Sequence, residues 1–146
     1  DALLAARENA KKNGVADRID FLQGDLFSAL DSSVYKESFD AIVSNPPYIP
    51  AGEIGGLMTE VRSYEPRVAL DGGEDGLHFY RRIAKAAPPF LKQNGLVAVE
   101  MGYDQSRSVQ EIFLGTGKYE RTEVRKDLAG IDRVAAFYKR REVPNV

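Results

Sequence analysis

The chain of 146 residues contains no cysteine. That excludes disulfides, thiolate-ligated metals and a thiol nucleophile. A lone histidine, His78, cannot build a histidine metal cluster, and no metal site is expected. No apolar run approaches membrane-spanning length and no signal-peptide pattern is present, so no membrane association is expected and the cytoplasm is the default location. Basic residues are not in excess. Lys and Arg number 20 against 22 Asp and Glu, for a net charge of −2. That balance argues against a broad basic surface, and direct nucleic-acid binding is not expected. Internal repeats, low-complexity segments and an interdomain linker are also lacking. So is an initiating Met: Asp1 leads straight into a helical Ala-Leu-Leu-Ala-Ala run, the pattern of a piece cut from a longer protein. What is present, 43% apolar and 29% charged residues, suits a soluble globular chain with one domain, 1–146, and one core.

The chemistry concentrates in one stretch. Phe39 to Val43 has strand composition and breaks abruptly into Ser44-Asn45-Pro46-Pro47-Tyr48. Two consecutive prolines fix φ, remove two backbone donors and hold the chain stiff and extended. Asn45 offers one side-chain acceptor and two donors, and each proline offers a carbonyl without a competing N–H. Two such acceptors can grip both hydrogens of an –NH₂ and leave the nitrogen lone pair pointing outwards. Tyr48 adds a flat face for a planar amide or base. The grouping prepares a planar nitrogen to attack an electrophilic carbon, a contribution from orientation worth roughly 7–11 kcal/mol. For Asn-Pro alone, a plain turn is the better reading. For Asn-Pro-Pro-Tyr directly after an apolar strand, the site is.

The remaining pattern is α/β. Helical spacing covers Asp1 to Asn13, with Asn13-Gly14 as its stop signal. Ile19 to Gln23 reads as a short strand before Gly24-Asp25-Leu26-Phe27. Ile49 to Gly76 is a long glycine-rich loop, with a short helix possible at Met58 to Arg62. Gly76 to Ala87 is a helix ended by Pro88-Pro89. Leu96 to Glu100 is a strand whose continuous apolar character predicts cover on both faces. Asp104 is the expected cap of a helix from Gln105 to Leu114. Strands follow at Tyr119 to Lys126 and Arg133 to Lys139. The order predicts a mostly parallel sheet with a closing antiparallel pair. Ligands of such sheets sit beyond the carboxyl ends of the strands, where Asp25-Leu26, Asn45-Pro46-Pro47-Tyr48 and Glu100-Met101-Gly102 would form one rim.

Strand-Asn-Pro-Pro-Tyr resembles the signature of class I S-adenosylmethionine-dependent methyltransferases that modify planar nitrogens. Its flanks narrow the likeness. Ser44 to Pro50, then Tyr64-Glu65-Pro66-Arg67-Val68-Ala69-Leu70-Asp71-Gly72-Gly73-Glu74-Asp75-Gly76-Leu77, and Asp127 to Val134 resemble the glutamine-N5 methyltransferases of peptide-chain release factors. The likeness runs from Asp1 to about Lys139. It implies a partial Rossmann-like catalytic domain, with S-adenosylmethionine as cofactor. The implied substrate is the glutamine of the Gly-Gly-Gln loop in a class 1 release factor. Asn45 and the Pro46 carbonyl would hold the amide, with Pro47 and Tyr48 shaping the slot. Asp25 and the Leu26 backbone would meet the adenine, and Asn45 the methionine end of the cofactor.

The family's glycine-rich cofactor loop, first two strands and N-terminal helical domain have no counterpart in these residues. Gly115-Thr116-Gly117 is no substitute, because it follows a helix and leads into a strand, the reverse of the required order. The chain is therefore expected to be catalytically incomplete alone. Lost order over Asp1 to Asp31, altered pairing, or self-association through an exposed sheet edge would follow. The alternatives are a planar-nitrogen methyltransferase acting on DNA or RNA, and a non-catalytic module that binds a glutamine loop. Several polar groups have plainer readings: Glu65 pairing with Arg62 or Arg67, Glu100 as a pocket wall, His78 as structural or solvated, and Arg81-Arg82 and Arg140-Arg141 as solvated faces.

Overall fold

The computed structural model describes residues 2–56 and 66–141. It divides into two compact units, residues 1–34 and 35–146. In the first unit, α1 spans Ala2–Lys12. It ends as its sequence requires. Gly14 adopts φ +66°, its N–H bonds the Lys11 carbonyl, and the Val15 N–H reaches back to Ala10. This paired closure satisfies carbonyls that the last turn would otherwise leave open. Arg7 lies over the Phe21 ring at 4.8 Å and donates to the Phe21 carbonyl at 3.3 Å.

The strand expected at Ile19 to Gln23 does not form. Ile19 has extended φ and ψ, yet residues 19–23 pair with no described strand. Ile19 and Leu22 stay 41% and 45% exposed. An extended segment without a ladder partner gains neither the hydrogen bonds nor the buried face that makes a strand.

The second unit is built on four strands: β1 (Phe39–Ser44), β2 (Leu91–Glu100), β3 (Tyr119–Lys126) and β4 (Asp132–Lys139), in the spatial order β1-β2-β4-β3. β1 runs parallel to β2, while β4 is antiparallel to both β2 and β3. The α/β class with a closing antiparallel pair stands. The expected mostly parallel balance does not, since one pairing of three is parallel. Between Phe39 and Ala41 the register against β2 jumps from Leu91 to Leu96. The intervening residues include Asn94 at φ +64°, so the Asn94-Gly95 turn sits inside the strand as an irregularity.

Two helices, α2 (His78–Ala86) and α3 (Ser106–Gly115), cover one face of this sheet. Phe113 of α3 stacks on Phe137 of β4 at 4.0 Å, and the Tyr119 hydroxyl donates to the Ala84 carbonyl in α2 at 3.1 Å. Val97, Val99, Ala135 and Phe137 form cross-strand pairs on that face and are fully buried. Each large apolar side chain of this kind stabilises the fold by about 1.5–3 kcal/mol. Cover on both faces is not realised within the unit. Leu96 and Ala98 are only half-buried and Val43 of β1 is 79% exposed, because α2 and α3 pack on the same side.

Asp104 does not cap α3. Gln105 occupies that place without a side-chain cap bond and is instead buried. The Met58 to Arg62 helix, and the Glu65 and Arg62 pairing, lie outside the described residues.

Candidate active site

β1 and β2 are parallel, so their carboxyl ends emerge side by side. Asn45 follows the last residue of β1 and is exposed. Among the described residues its side chain forms no hydrogen bond, which leaves its acceptor and donors available to a ligand. Pro46 behind it is buried, and Pro47 and Tyr48 are half-buried. The exposed amide is thus carried on a backbone anchored by packing and by two fixed φ angles.

Two groups from the β2 end hold this segment. The Tyr48 hydroxyl lies 3.3 Å from Glu100 Oε1. Burial, and then the nearby Glu100 charge, raise the Tyr48 pKa above its ordinary value, so the phenol stays neutral. The Tyr48 carbonyl accepts from Gln105 Nε2 at 2.8 Å. Gln105 reaches further: Nε2 also lies 3.4 Å from the Gly76 carbonyl, and Oε1 accepts from the Gly102 N–H at 3.0 Å. The Tyr80 hydroxyl lies 3.2 Å from the same oxygen and 2.8 Å from the Glu100 carbonyl. One buried amide therefore ties the Asn-Pro-Pro-Tyr segment to the glycine-rich loop, to the β2–α3 connection and, through Tyr80, to α2.

The glycine-rich loop is shaped to the same segment. Ile49 bridges Asp71 in parallel, with its N–H on the Leu70 carbonyl and its carbonyl accepting from Gly72. A Cβ on Gly72 would stand 2.8 Å from the Tyr48 backbone. On Gly76, whose φ is +71°, a Cβ would fall on the Tyr48 carbonyl oxygen. These two glycines are required by close approach rather than by flexibility. A cavity of about 350 Å³ opens here, lined by Tyr48, Ile49, Pro50, Leu77, Tyr103 and Gln105, among others.

The segment from Asp127 closes the β2 end. Asp127 Oδ1 accepts from the Ala129 and Ile131 N–H groups, and its Oδ2 holds the Arg133 guanidinium at 3.1 Å. These bonds keep the Asp127 carboxyl below its usual range. Arg133 Nη1 in turn donates to the Met101 carbonyl at 3.0 Å, fixing the chain just beyond Glu100.

The structure thus brings together Asn45, Pro46, Pro47, Tyr48 and Glu100. The groups that sequence reading missed are Gln105, Tyr80 and Arg133. Asp25 and Leu26 belong to the first unit. They lie in a tight turn where the Asp25 N–H bonds Ser28 Oγ at 2.8 Å and Leu26 takes φ +52°. Asp25 is exposed and Leu26 half-buried. A carboxylate acceptor beside a backbone N–H fits the edge of an adenine ring. Among the described residues, no glycine-rich strand-to-helix loop accompanies it, so the fit extends to that end of a nucleoside cofactor only. His78 is exposed against Phe79, in keeping with its plain reading.

Comparison with known proteins places these features. A model of the RMKL-like methyltransferase domain family matches residues 1–53. The release factor glutamine methyltransferase of Moorella thermoacetica is 45% identical over 97% of this chain and 48% of its own length. That of Caulobacter vibrioides is 50% identical over 95% of this chain and 46% of its own length. The chain spans about half the length of these curated relatives. A methyltransferase crystal structure from Pyrococcus furiosus superposes with a TM-score of 0.63 over 94% of this chain and 57% of that one. At 20% identity it establishes the fold alone.

Proposed function

Because the chain belongs to the release factor glutamine methyltransferase family, over the half of its members' length that it spans, we propose that it carries the amide-holding half of an active site that methylates glutamine N5. The proposed substrate is the Gly-Gly-Gln loop of a class 1 release factor. The observation that carries the reading is an exposed Asn45 amide, free among the described residues, on a segment made rigid by buried Pro46 and by Gln105.

Asn45 Oδ1 and the Pro46 carbonyl accept the two N–H groups of the substrate amide. Held at both hydrogens, the nitrogen presents its lone pair away from the protein. Pro47 and the Tyr48 ring bound the slot, and the Glu100 bond keeps that ring from swinging into it. The neutral Tyr48 phenol adds no charge to the slot. S-adenosylmethionine, when bound, supplies an electrophilic methyl group. Within the second unit, Asn45 is the residue that would meet its methionine end. No residue of this slot is a strong base, and none is needed if the amide proton leaves after transfer.

The test uses the full-length gene product, a class 1 release factor and methyl-labelled S-adenosylmethionine. Peptide mass spectrometry should place one methyl on the Gly-Gly-Gln glutamine. A protein that binds the cofactor yet leaves that peptide unlabelled would reject the reading, and label on RNA or DNA would favour the planar-nitrogen alternative.

A further inference from the structure

A concavity of about 720 Å³ lies at the sheet end opposite Asn45. Lys36 precedes β1, Lys118 precedes β3, Lys139 ends β4, Arg140 and Arg141 follow it, and Lys85 comes from the last turn of α2. The topology forces them together, because the starts of β1, β2 and β3 and the end of β4 share that edge. Among the described residues the lining holds six cations and one carboxylate, Glu37. Glu37 is committed to Lys139 Nζ at 2.9 Å, and Lys139, 6% exposed, also donates to the Leu91 carbonyl. The other five cations form no ion pair among the described residues, and Lys36 only shares the charge of its neighbour Glu37. Arg141 uses one N–H on Asn94 Oδ1 at 2.8 Å.

The rest of the second unit is different. Each other described lysine or arginine there meets a carboxylate, at Lys92–Asp40, Arg67–Asp71, Arg81–Asp75, Arg107–Glu111, Arg121 and Arg125–Glu123, Lys126–Asp132 and Arg133–Asp127, or an aromatic ring, at Arg82–Phe79. In a chain of net charge −2, a second unit whose other described cations each meet a carboxylate or a ring has concentrated positive potential in this groove.

We propose that this groove binds single-stranded nucleic acid through its phosphates. The cations are spread along the sheet edge, from Lys36 before β1 to Lys118 before β3 across the order β1-β2-β4-β3, as a repeating anion requires. Among the described residues the lining contains no aromatic ring, so bases are not stacked or read and the sugar is not distinguished. Its apolar part is Pro88 and Pro89, too little to anchor a protein interface.

The probe is a labelled oligouridine, with oligothymidine beside it, titrated into this chain by fluorescence anisotropy at several salt concentrations. Five phosphate contacts predict a slope of log K against log[salt] of about −3.5 for a single strand, alike for both probes. Lys36→Gln/Lys85→Gln/Lys118→Gln alters exposed side chains only and should lower the slope to about −1.4. Arg107→Gln, which removes a cation already paired with Glu111, should leave it unchanged. Circular dichroism melts confirm that both variants are folded. Absence of binding at low salt, an equal effect of Arg107→Gln, or displacement by poly-glutamate as effective as by unlabelled oligouridine would overturn the proposal, the last in favour of an acidic protein partner.

Discussion

Replacing Gln105 with leucine isolates the clamp behind the Asn-Pro-Pro-Tyr segment. The two side chains are close in volume, so the change removes hydrogen bonds with little cavity. It leaves the Gly102 N–H without its Oε1 acceptor and the Tyr48 carbonyl without its 2.8 Å donor. The Tyr80 hydroxyl keeps the Glu100 carbonyl. An orphaned buried polar group costs about 1–3 kcal/mol, so two of them cost about 2–6 kcal/mol. For a chain of this length that lowers Tm by roughly 6–18 °C.

Gln105→Glu sharpens the test. Its carboxylate can still accept from Gly102, but a second oxygen then faces the Tyr48 carbonyl. Protonated, it donates to that carbonyl as the amide does. The folded state therefore holds the proton more tightly than the unfolded one, and the pKa of the introduced carboxyl is raised. Such a group contributes stability that is full below the unfolded value of about 4.3 and is lost as pH rises through the folded value. The deficit of Gln105→Glu against the parent should be small near pH ~4 and grow towards neutrality. Urea unfolding of parent and both variants across this range reads it directly. A Gln105→Leu cost under ~1 kcal/mol, or a Gln105→Glu deficit that does not change with pH, would refute the clamp.

Three further expectations follow from the same geometry. Asn45→Ala touches an exposed residue, so Tm should hold while methyl transfer by the full-length gene product falls on the order of 10²-fold or more; an unchanged rate would remove Asn45 from the site. Gly76→Ala meets a left-handed φ and the Tyr48 carbonyl at once and should cost about 3 kcal/mol in chemical unfolding. Gly52→Ala, with open space around its Cβ, is the control. The Asp75 carboxyl is held down to about 2, chiefly by its hydrogen bond from Arg81. It contributes stability above its unfolded pKa of about 3.9 that is lost as pH falls towards 2. Arg81→Gln should therefore lower stability at neutral pH and converge on the parent in strong acid.

How far sequence carried this picture depends on sequence distance. Asn45, the two prolines and Tyr48 were readable because the chemistry, the stiffness and the preceding strand lie within ten residues. α1, its Gly14 stop, β1, β3 and β4 were readable because period and punctuation are local. Gln105 was not. It stands 57 residues from Tyr48 and carries no pattern of its own, and only the parallel β1–β2 pairing brings the two together. Asp104 drew attention instead, because an acidic residue before an apolar helix is a local cap signal, whereas the adjacent amide had partners that no window contains. The Ile19 strand failed for the converse reason. Its composition was right, but a strand is a pairwise object, and residues 19–23 have no partner strand among the described residues. The basic groove follows the same rule. Arg140-Arg141 read as a solvated face, and Lys36, Lys85 and Lys118 carry no local signal at all. Antiparallel placement of β4 against β2 gathers them at one edge, so the charge that whole-chain composition hides is exposed by topology alone.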